Sequence, residues 1–511
     1  MSASDHSHNG NRVSLATLGH RLESMPMLLI SILVAIGIVI ADNVVLPFYG
    51  VLATMLCCIG ILWLSRAGYV RWCYLAVAII AFGYIVAELR APKATTPYDY
   101  QCDMVVSVDG IPAQRDGYRI ADGHISAWHD GIRWHEADDR VQLWIRSDSI
   151  EHGSIAHITS KLQSRISRHS GYNELLYRRG YVGGVGINEY NISAIEQGDF
   201  EGMQHWAVQK LGYYRSDSAA HATLEAMVAG SRANLTPTLR EAYSRTGLAH
   251  LMAVSGLHLG IVFIVVSMLL APLRLVHRGH RAIHLLVIIA LWLFAYMSGA
   301  SPSVIRAAIM LTAVELSLIS SLRFNTINML ATAIFLMLVY RPNYLFDISF
   351  ELSATAVFGI VAWGIPLLRA ITTRHFVGSS LLSTLIIGVV ASLWTLPIIS
   401  HSFGNIPLVG VVLTPIVMVF CYVIIGGGIF ALILPSVLST PFIAIAEWAG
   451  EMQNNIVLWA SEWPFAAIDY RLSESGVAIC YALFAIITAV GWSINRKKSS
   501  TFALKYDTNR T

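Results

Sequence analysis

Apolar residues run in blocks along most of this 511-residue chain, and stripes of one face are rare. Three blocks lie near 26 to 46, 48 to 64 and 69 to 89. Each has about the 17 to 25 residues that a helix needs to cross roughly 30 Å of hydrocarbon. At Arg90-Ala91-Pro92 the pattern changes to alternation, in DMVVSV (Asp103 to Val108), YRIADGHISAW (Tyr118 to Trp128) and RVQLWIRS (Arg140 to Ser147). Two further alternating stretches lie near 153 to 160 and 182 to 195. A period of two broken by Asp-Gly turns predicts β-strands, about five of them, the number in a small OB-type barrel. Residues 201 to 247 are amphipathic and Ala-rich, which predicts helices lying along a membrane surface. Apolar blocks then return near 248 to 271, 283 to 299, 302 to 321, 325 to 340, 349 to 369, 379 to 400, 405 to 434 and 474 to 494. The stretch 441 to 463 carries Glu447, Glu451, Gln453, Asn454 and Asn455, and fits a spanning or an interfacial helix equally. The expected fold is a polytopic α-helical membrane protein of about 11 to 12 spans with an inserted OB-like β-barrel domain. Its divisions are a tail at 1–25, three spans at 26–90, the β domain at 91–200, surface helices at 201–247, a second helical domain at 248–494 and a short basic tail at 495–511.

Composition agrees, with 55% hydrophobic and 13% charged residues and a mean hydropathy of +0.57. Soluble chains carry roughly 25% charged residues, so a wholly water-soluble protein is excluded. The net charge of +3 also excludes a binder coated in positive charge. Five of the six cysteines, all but Cys102, fall in apolar segments, so no disulfide framework is expected. Arg12 and Arg21 before the apolar run Met27 to Ile40 imitate a signal peptide, but two spans follow closely and the run reads as an uncleaved first helix. Arg66 with Arg71, then Arg274, Arg278 and Arg281, then Arg323, then Arg369 with Arg374 fall on alternate loops. The positive-inside rule makes those loops and the N-terminus cytoplasmic and turns the β domain outward.

Charged groups at membrane depth cost at least about 2.5 kcal/mol each, so those that remain need a reason. In GLAHLMAVSGLHLG (Gly247 to Gly260), His250 and His258 stand about 80° apart on one helix, with Ser255-Gly256 between them. Such a small pair lets another backbone approach, or interrupts the helix beside a cavity. In SGASPSVIRAAIM, Pro302 suits a first helical turn and Arg306 lies about one turn further in. Glu315, nine residues on, faces the opposite side and cannot pair with Arg306 within that helix. Arg306 either reaches the interface, pairs with Asp347 or Glu351, or faces the path of a polyanion. Asp347 and Glu351 share a face if helical, and Ser353 follows. The two acids suit orienting Arg306 or a histidine. Pro397, Gly404, Pro407, Gly410 and Pro415 predict a discontinuous or re-entrant segment. The β module holds one basic stretch, Lys161 to Gly180, with Lys161, Arg165, Arg168, Arg178 and Arg179 against Glu174 alone, and with Tyr172 among them. No GxxxxGK[ST] is present to bind nucleoside triphosphate, and no Cys/His cluster has zinc spacing. No catalytic constellation, metal site or cofactor site is expected.

HLMAVSGLHLGIV (His250 to Val262), RAAIM (Arg306 to Met310) and FDISFELSATAVFGI (Phe346 to Ile360) resemble the ComEC family, inner-membrane channels through which competent bacteria import transforming DNA. The order of parts is similar over about 400 residues, including GYNELLYRRG (Gly171 to Gly180) in the β module. The resemblance implies a protein of the bacterial inner (cell) membrane that passes single-stranded DNA inward. His250, Ser255, Gly256, His258, Arg306, Asp347, Glu351 and Ser353 would line the path. Lys161, Arg165, Arg168, Tyr172, Arg178 and Arg179 would meet the strand at the OB-like domain, through a basic groove and stacking. That module has 11 basic and 15 acidic residues over 91 to 200, so a structural role for it stays open. The implied partners are single-stranded DNA, the lipid bilayer, a cytoplasmic DNA motor or single-strand-binding protein, and an extracytoplasmic receptor with a separate nuclease. Glu351 and Ser349 stand where many relatives have Gln and Gly. Many relatives continue into a metallo-β-lactamase-like nuclease domain, and the expected form here lacks it. The alternative is a secondary transporter of a small solute or protons, with His250, His258, Asp347 and Glu351 as a relay.

Overall fold

The computed structural model describes residues 26–64, 68–115, 117–164, 170–197, 202–212, 218–275, 279–320, 325–370 and 376–507. Seven helices among them are long and apolar enough to cross a membrane: Pro26–Asn43, Val70–Arg90, Pro302–Ile319, Ile348–Arg369, Leu385–Phe403, Gly410–Ile433 and Glu474–Gly491. Four shorter apolar helices accompany them, Phe48–Leu64, Gly256–Leu269, Arg281–Met297 and Thr326–Tyr340. Large apolar side chains lie on the outside, among them Trp63, Met268 and Ile479, and no residue of Glu474–Gly491 is buried. Lipid solvates such faces and water does not, so the chain is a multi-pass membrane protein.

The chain forms two compact units. One comprises residues up to Pro237, His250–Phe350 and Phe420–Asn454; the other comprises Thr238–Ala249, Glu351–Val419 and Asn455 onward.

In the first unit, helices Pro26–Asn43 and Gly68–Arg90 touch backbone to backbone. A Cβ on Gly37 would strike the Ile80 carbonyl oxygen, and one on Gly83 would strike that of Val34. Small residues permit this approach, the usual route to helix packing where no hydrophobic drive exists between helices. Val34 and Ile38 then bury against Met337, Leu338 and Phe350.

Among the described residues the inserted β domain has seven strands: β1 (Gln101–Val108), β2 (Ala113–Arg115), β3 (Tyr118–His129), β4 (Trp134–Ile145), β5 (Ser154–Lys161), β6 (Gly183–Ile187) and β7 (Ile192–Gln197). Their order is β6-β4-β3-β1-β5-β7, with β2 on β3, and only β4 and β6 run parallel. Gln163 and Gly184 exchange backbone hydrogen bonds of 2.9 and 3.0 Å, bringing the chain just past β5 onto β6 and curling the sheet toward a barrel. Alternation puts Met104, Val106, Ile125, Val141, Leu143, Ile145, Ile158 and Ile187 inside. The count exceeds the expected five because β2 is only three residues long and because 182 to 195 divides at the turn Glu189–Asn191. There the Asn191 carboxamide accepts from Asn188 N (2.8 Å) and donates to Gly186 O (3.0 Å), ending the strand. The fully buried Asp139 accepts hydrogen bonds from Thr95 N and Thr96 N, tethering the chain that enters the domain.

Helices follow at Met203–Gly212, Ala219–Val228 and Pro237–Arg245. The expectation of surface helices fails for the second, in which every residue from Ala220 to Val228 is buried. Small side chains explain it: Gly450 lies against Ala220, and Gly428 against Val228. Helix Ser436–Ser461, whose polar residues left its placement open, turns Asn454 toward Thr223 in the same packing (3.0 Å).

In the second unit, the chain is discontinuous at the proline-rich stretch, one of the two forms expected there. Helix Phe376–Phe403 ends at a turn on Gly404, β8 (Asn405–Pro407) pairs antiparallel with β9 (Ala467–Asp469), and a helix restarts at Gly410. The pairing satisfies backbone groups that the prolines free from helix. Helix Ile348–Gly359 continues through a π turn at Ile360–Gly364, where the Trp363 indole donates to Thr488 Oγ1 at 2.7 Å. The last helix runs on to Asp507, through the expected basic tail.

Candidate functional site

The segment carrying His250 and His258 is not one helix. A single turn, Ala249–Met252, stops, and helix Gly256–Leu269 begins after Ser255, whose backbone is extended. The break follows from local chemistry. Serine before the first turn competes for backbone partners that would otherwise continue the helix. Ser255 N donates to His258 Nδ1 (3.3 Å), and Ser255 Oγ lies 2.9 Å from the same nitrogen. With Nδ1 accepting, the ring proton sits on Nε2, which is buried and has no hydrogen-bond partner. His258 is 0% exposed, whereas His250 lies exposed on the far side of the break, so the two do not share a helical face.

Arg306 lies in the second turn of helix Pro302–Ser320 and is 4% exposed. Its Nε and Nη1 have no hydrogen-bond partner. Gly256 packs close beside it, since a Cβ there would stand 3.6 Å from Arg306 Nη2 and 3.3 Å from Ala307 Cβ. Ser301 Oγ donates to Val254 O (3.3 Å), joining the start of the arginine helix to the break. The turn that delivers Pro302 is strained, because Ala300 adopts φ of 49° without being glycine.

The acids near Arg306 in sequence are engaged elsewhere. Glu315, 2% exposed, is paired with His284 of the preceding helix. Asp347 caps its own helix, accepting from Ser349 N (2.8 Å), and pairs with Arg179 at 3.8 Å. Glu351 and Ser353, half-buried on Ile348–Gly359, belong to the second unit.

Of the basic stretch in the β domain, Arg165 and Arg168 lie outside the described residues. Lys161 is exposed at the end of β5, and the Tyr172 hydroxyl donates to Gln142 at 3.0 Å. Arg178 pairs with Glu174, reaches Asp42 at 3.7 Å and covers the Phe346 ring at 4.4 Å. Arg178 and Arg179 thus join helix Ser170–Arg178 to the membrane helices of their own unit.

One cluster has no counterpart in the sequence reading. His221 stands between two carboxylates, with Nδ1 2.7 Å from Glu447 and Nε2 3.3 Å from Glu225. Asn234 donates to the other Glu225 oxygen at 2.8 Å. The Glu225 carboxylate 3.3 Å from Nε2, opposed by burial and supported by the hydrogen bond to Glu447, raises the imidazole pKa above its ordinary value. The two ring nitrogens point apart, so these groups do not converge as metal ligands. The cluster borders a cavity of about 710 Å³ lined also by Gln209, Ser218 and Thr236. The signal was present as spacing: His221 and Glu225 are four apart, and Glu447 and Asn454 seven apart, each pair on one helical face.

Comparison with known proteins places these features in context. Residues 227–496 match the family model described as Competence protein. ComE operon protein 3 of Bacillus subtilis (strain 168) is 23% identical over 374 residues, 71% of this chain and 46% of that protein. A protein of Aquifex aeolicus (strain VF5) is 27% identical over 267 residues, 52% of this chain and 60% of its own length. Recombination protein 2 of Haemophilus influenzae is 27% identical over 177 residues, 34% of this chain and 22% of that protein. The chain therefore spans 22% to 60% of the length of these curated relatives. No solved structure matches.

Proposed function

The chain belongs to the Competence protein family, and from that footing we propose that it passes single-stranded DNA across a bacterial cell membrane into the cytoplasm during natural transformation. The observation that carries this reading is Arg306, a buried guanidinium with open donors and no acid within ion-pair reach among the described residues. An uncompensated cation in a low-dielectric bundle is costly, and a strand with one negative charge per nucleotide is a ligand that offsets the cost as it moves.

In this reading Arg306, Gly256, Ser255 and His258 border the route, and the interrupted helix supplies backbone polarity at depth. Asp347 acts one step away, by holding Arg179. The β domain faces outward, as the alternate cytoplasmic arginines require, and its open basic edge is at Lys161. The chain conducts and does not catalyse. Because it has no P-loop, a cytoplasmic motor or single-strand-binding protein supplies the pull, and an outside receptor and nuclease deliver one strand.

The test is a transformation assay in a deletion strain, following labelled DNA into the cytoplasm. Wild-type chain restores import, and Arg306→Gln at the same membrane abundance falls at least ten-fold. Normal import by the deletion strain itself ends the proposal.

A further inference from the structure

We infer that the first turn of helix Gly256–Leu269 and the guanidinium of Arg306 form a built seat for one phosphodiester group. Three observations converge on it. A helix leaves its first N–H groups without intrahelical acceptors. Here Ser255 Oγ serves that of His258, which leaves Gly256 and Leu257 to present theirs. Such an end carries the equivalent of about half a positive charge. Secondly, Arg306 is 4% exposed, with Nε and Nη1 unpartnered, and its Nη2 lies 3.6 Å from where a Cβ on Gly256 would stand. Two positive ends therefore meet in the interior. Thirdly, the acids that would neutralise them are held elsewhere, Glu315 by His284 and Asp347 by Arg179.

Such a juxtaposition repels itself until an anion enters between the two. A monoanion with tetrahedral oxygens suits it best: one oxygen accepts from backbone N–H, others from the guanidinium. With glycine at 256 the guanidinium comes close to the backbone of this turn: a Cβ there would touch Nη2 at 3.6 Å, and a larger side chain would push into it. The bond from Ser301 to Val254 and the Ser255–His258 pair fix both halves. Nucleic acid and phospholipid both carry phosphodiesters. The choice of DNA as the source rests on the function proposed above, whereas the seat itself does not.

The full-length protein in nanodiscs, probed with the dinucleotide TpT by saturation-transfer NMR, tests this. TpT has one phosphodiester, and thymidine has none. Wild type is expected to give a TpT signal above that of thymidine. Arg306→Gln and, with the charge retained, Gly256→Val should each lower it at least five-fold, with tryptophan fluorescence melts confirming folded variants. Arg306-dependent binding abolished on exchanging phosphatidylcholine for phosphatidylglycerol supports the seat with lipid as its occupant. Arg306-dependent binding alongside normal DNA import by Arg306→Gln upholds the seat and removes the conduit reading. Equal TpT signals from wild type and both variants overturn the seat.

Discussion

His221 Nδ1 lies 2.7 Å from a carboxylate oxygen of Glu447, a residue 226 positions later in the chain. The contact joins helix Ala219–Val228, buried from Ala220 onward, to helix Ser436–Ser461, and Asn454 with Thr223 repeats the join two turns along the latter. Removing the imidazole leaves Glu225 and Glu447 facing each other with little solvent. His221→Ala should destabilise the protein by about 3 kcal/mol, the scale for stripping one partner from a buried ionic group. Thermal unfolding in detergent checks it, and an unchanged midpoint would show that water replaces the imidazole without penalty.

The same residue sets a pH dependence. Its folded pKa is raised above the ordinary 6.5, chiefly by the Glu225 carboxylate beside Nε2. The stabilisation is therefore complete below pH 6.5 and declines as pH climbs through the raised value. The unfolding midpoint of wild type should fall across that interval, and His221→Gln should flatten the decline. A decline of equal size in the variant would assign the effect to other groups.

Arg306 gives the opposite sign on stability. A buried charge without a partner is a liability that a hydrophobic side chain of similar length removes, by about 1 to 4 kcal/mol where such replacements help. Arg306→Met should raise the melting midpoint and abolish DNA import. A variant that is both less stable and import-competent contradicts this account of the residue.

Asp347 does two things that substitution separates. It caps helix Ile348–Gly359 through Ser349 N, and it pairs with Arg179, which is half exposed. Asp347→Asn keeps the cap and loses only a solvent-screened pair, so it should cost well under about 1 kcal/mol. Asp347→Ala also loses the cap and should cost about 1 kcal/mol more. Equal losses in the two variants would mean that the ion pair dominates.

Helix contact at Gly37 is equally direct. Gly37→Ala places a methyl against the Ile80 carbonyl, so helices Pro26–Asn43 and Gly68–Arg90 must separate. Overpacking of this kind costs about 1 to 3 kcal/mol. Gly60→Ala, where nothing lies within 4 Å, serves as the neutral control.

The apolar blocks and the alternating module were legible in the sequence because hydropathy and period are local. A helix that must bury its own backbone polarity in lipid, or a strand that must turn one face inward, writes its pattern into consecutive residues. The break at Ser255-Gly256 was legible only as one of two uses of a small pair, beside close approach on a continuous helix, and the structure chose between them. Partnership is not local. Arg178 and Arg179 read as a free basic patch, yet Asp42, Phe346 and Asp347 hold them from distant positions. The Ala-rich stretch 219 to 228 read as a surface helix, and only the approach of Gly428 and Gly450 made it interior. Sequence alone thus determined that this is a membrane bundle with an inserted sheet. Folding decided which polar groups are satisfied and which, like Arg306 Nε and Nη1, are left without a hydrogen-bond partner, because that depends on what three-dimensional packing brings within about 3 Å.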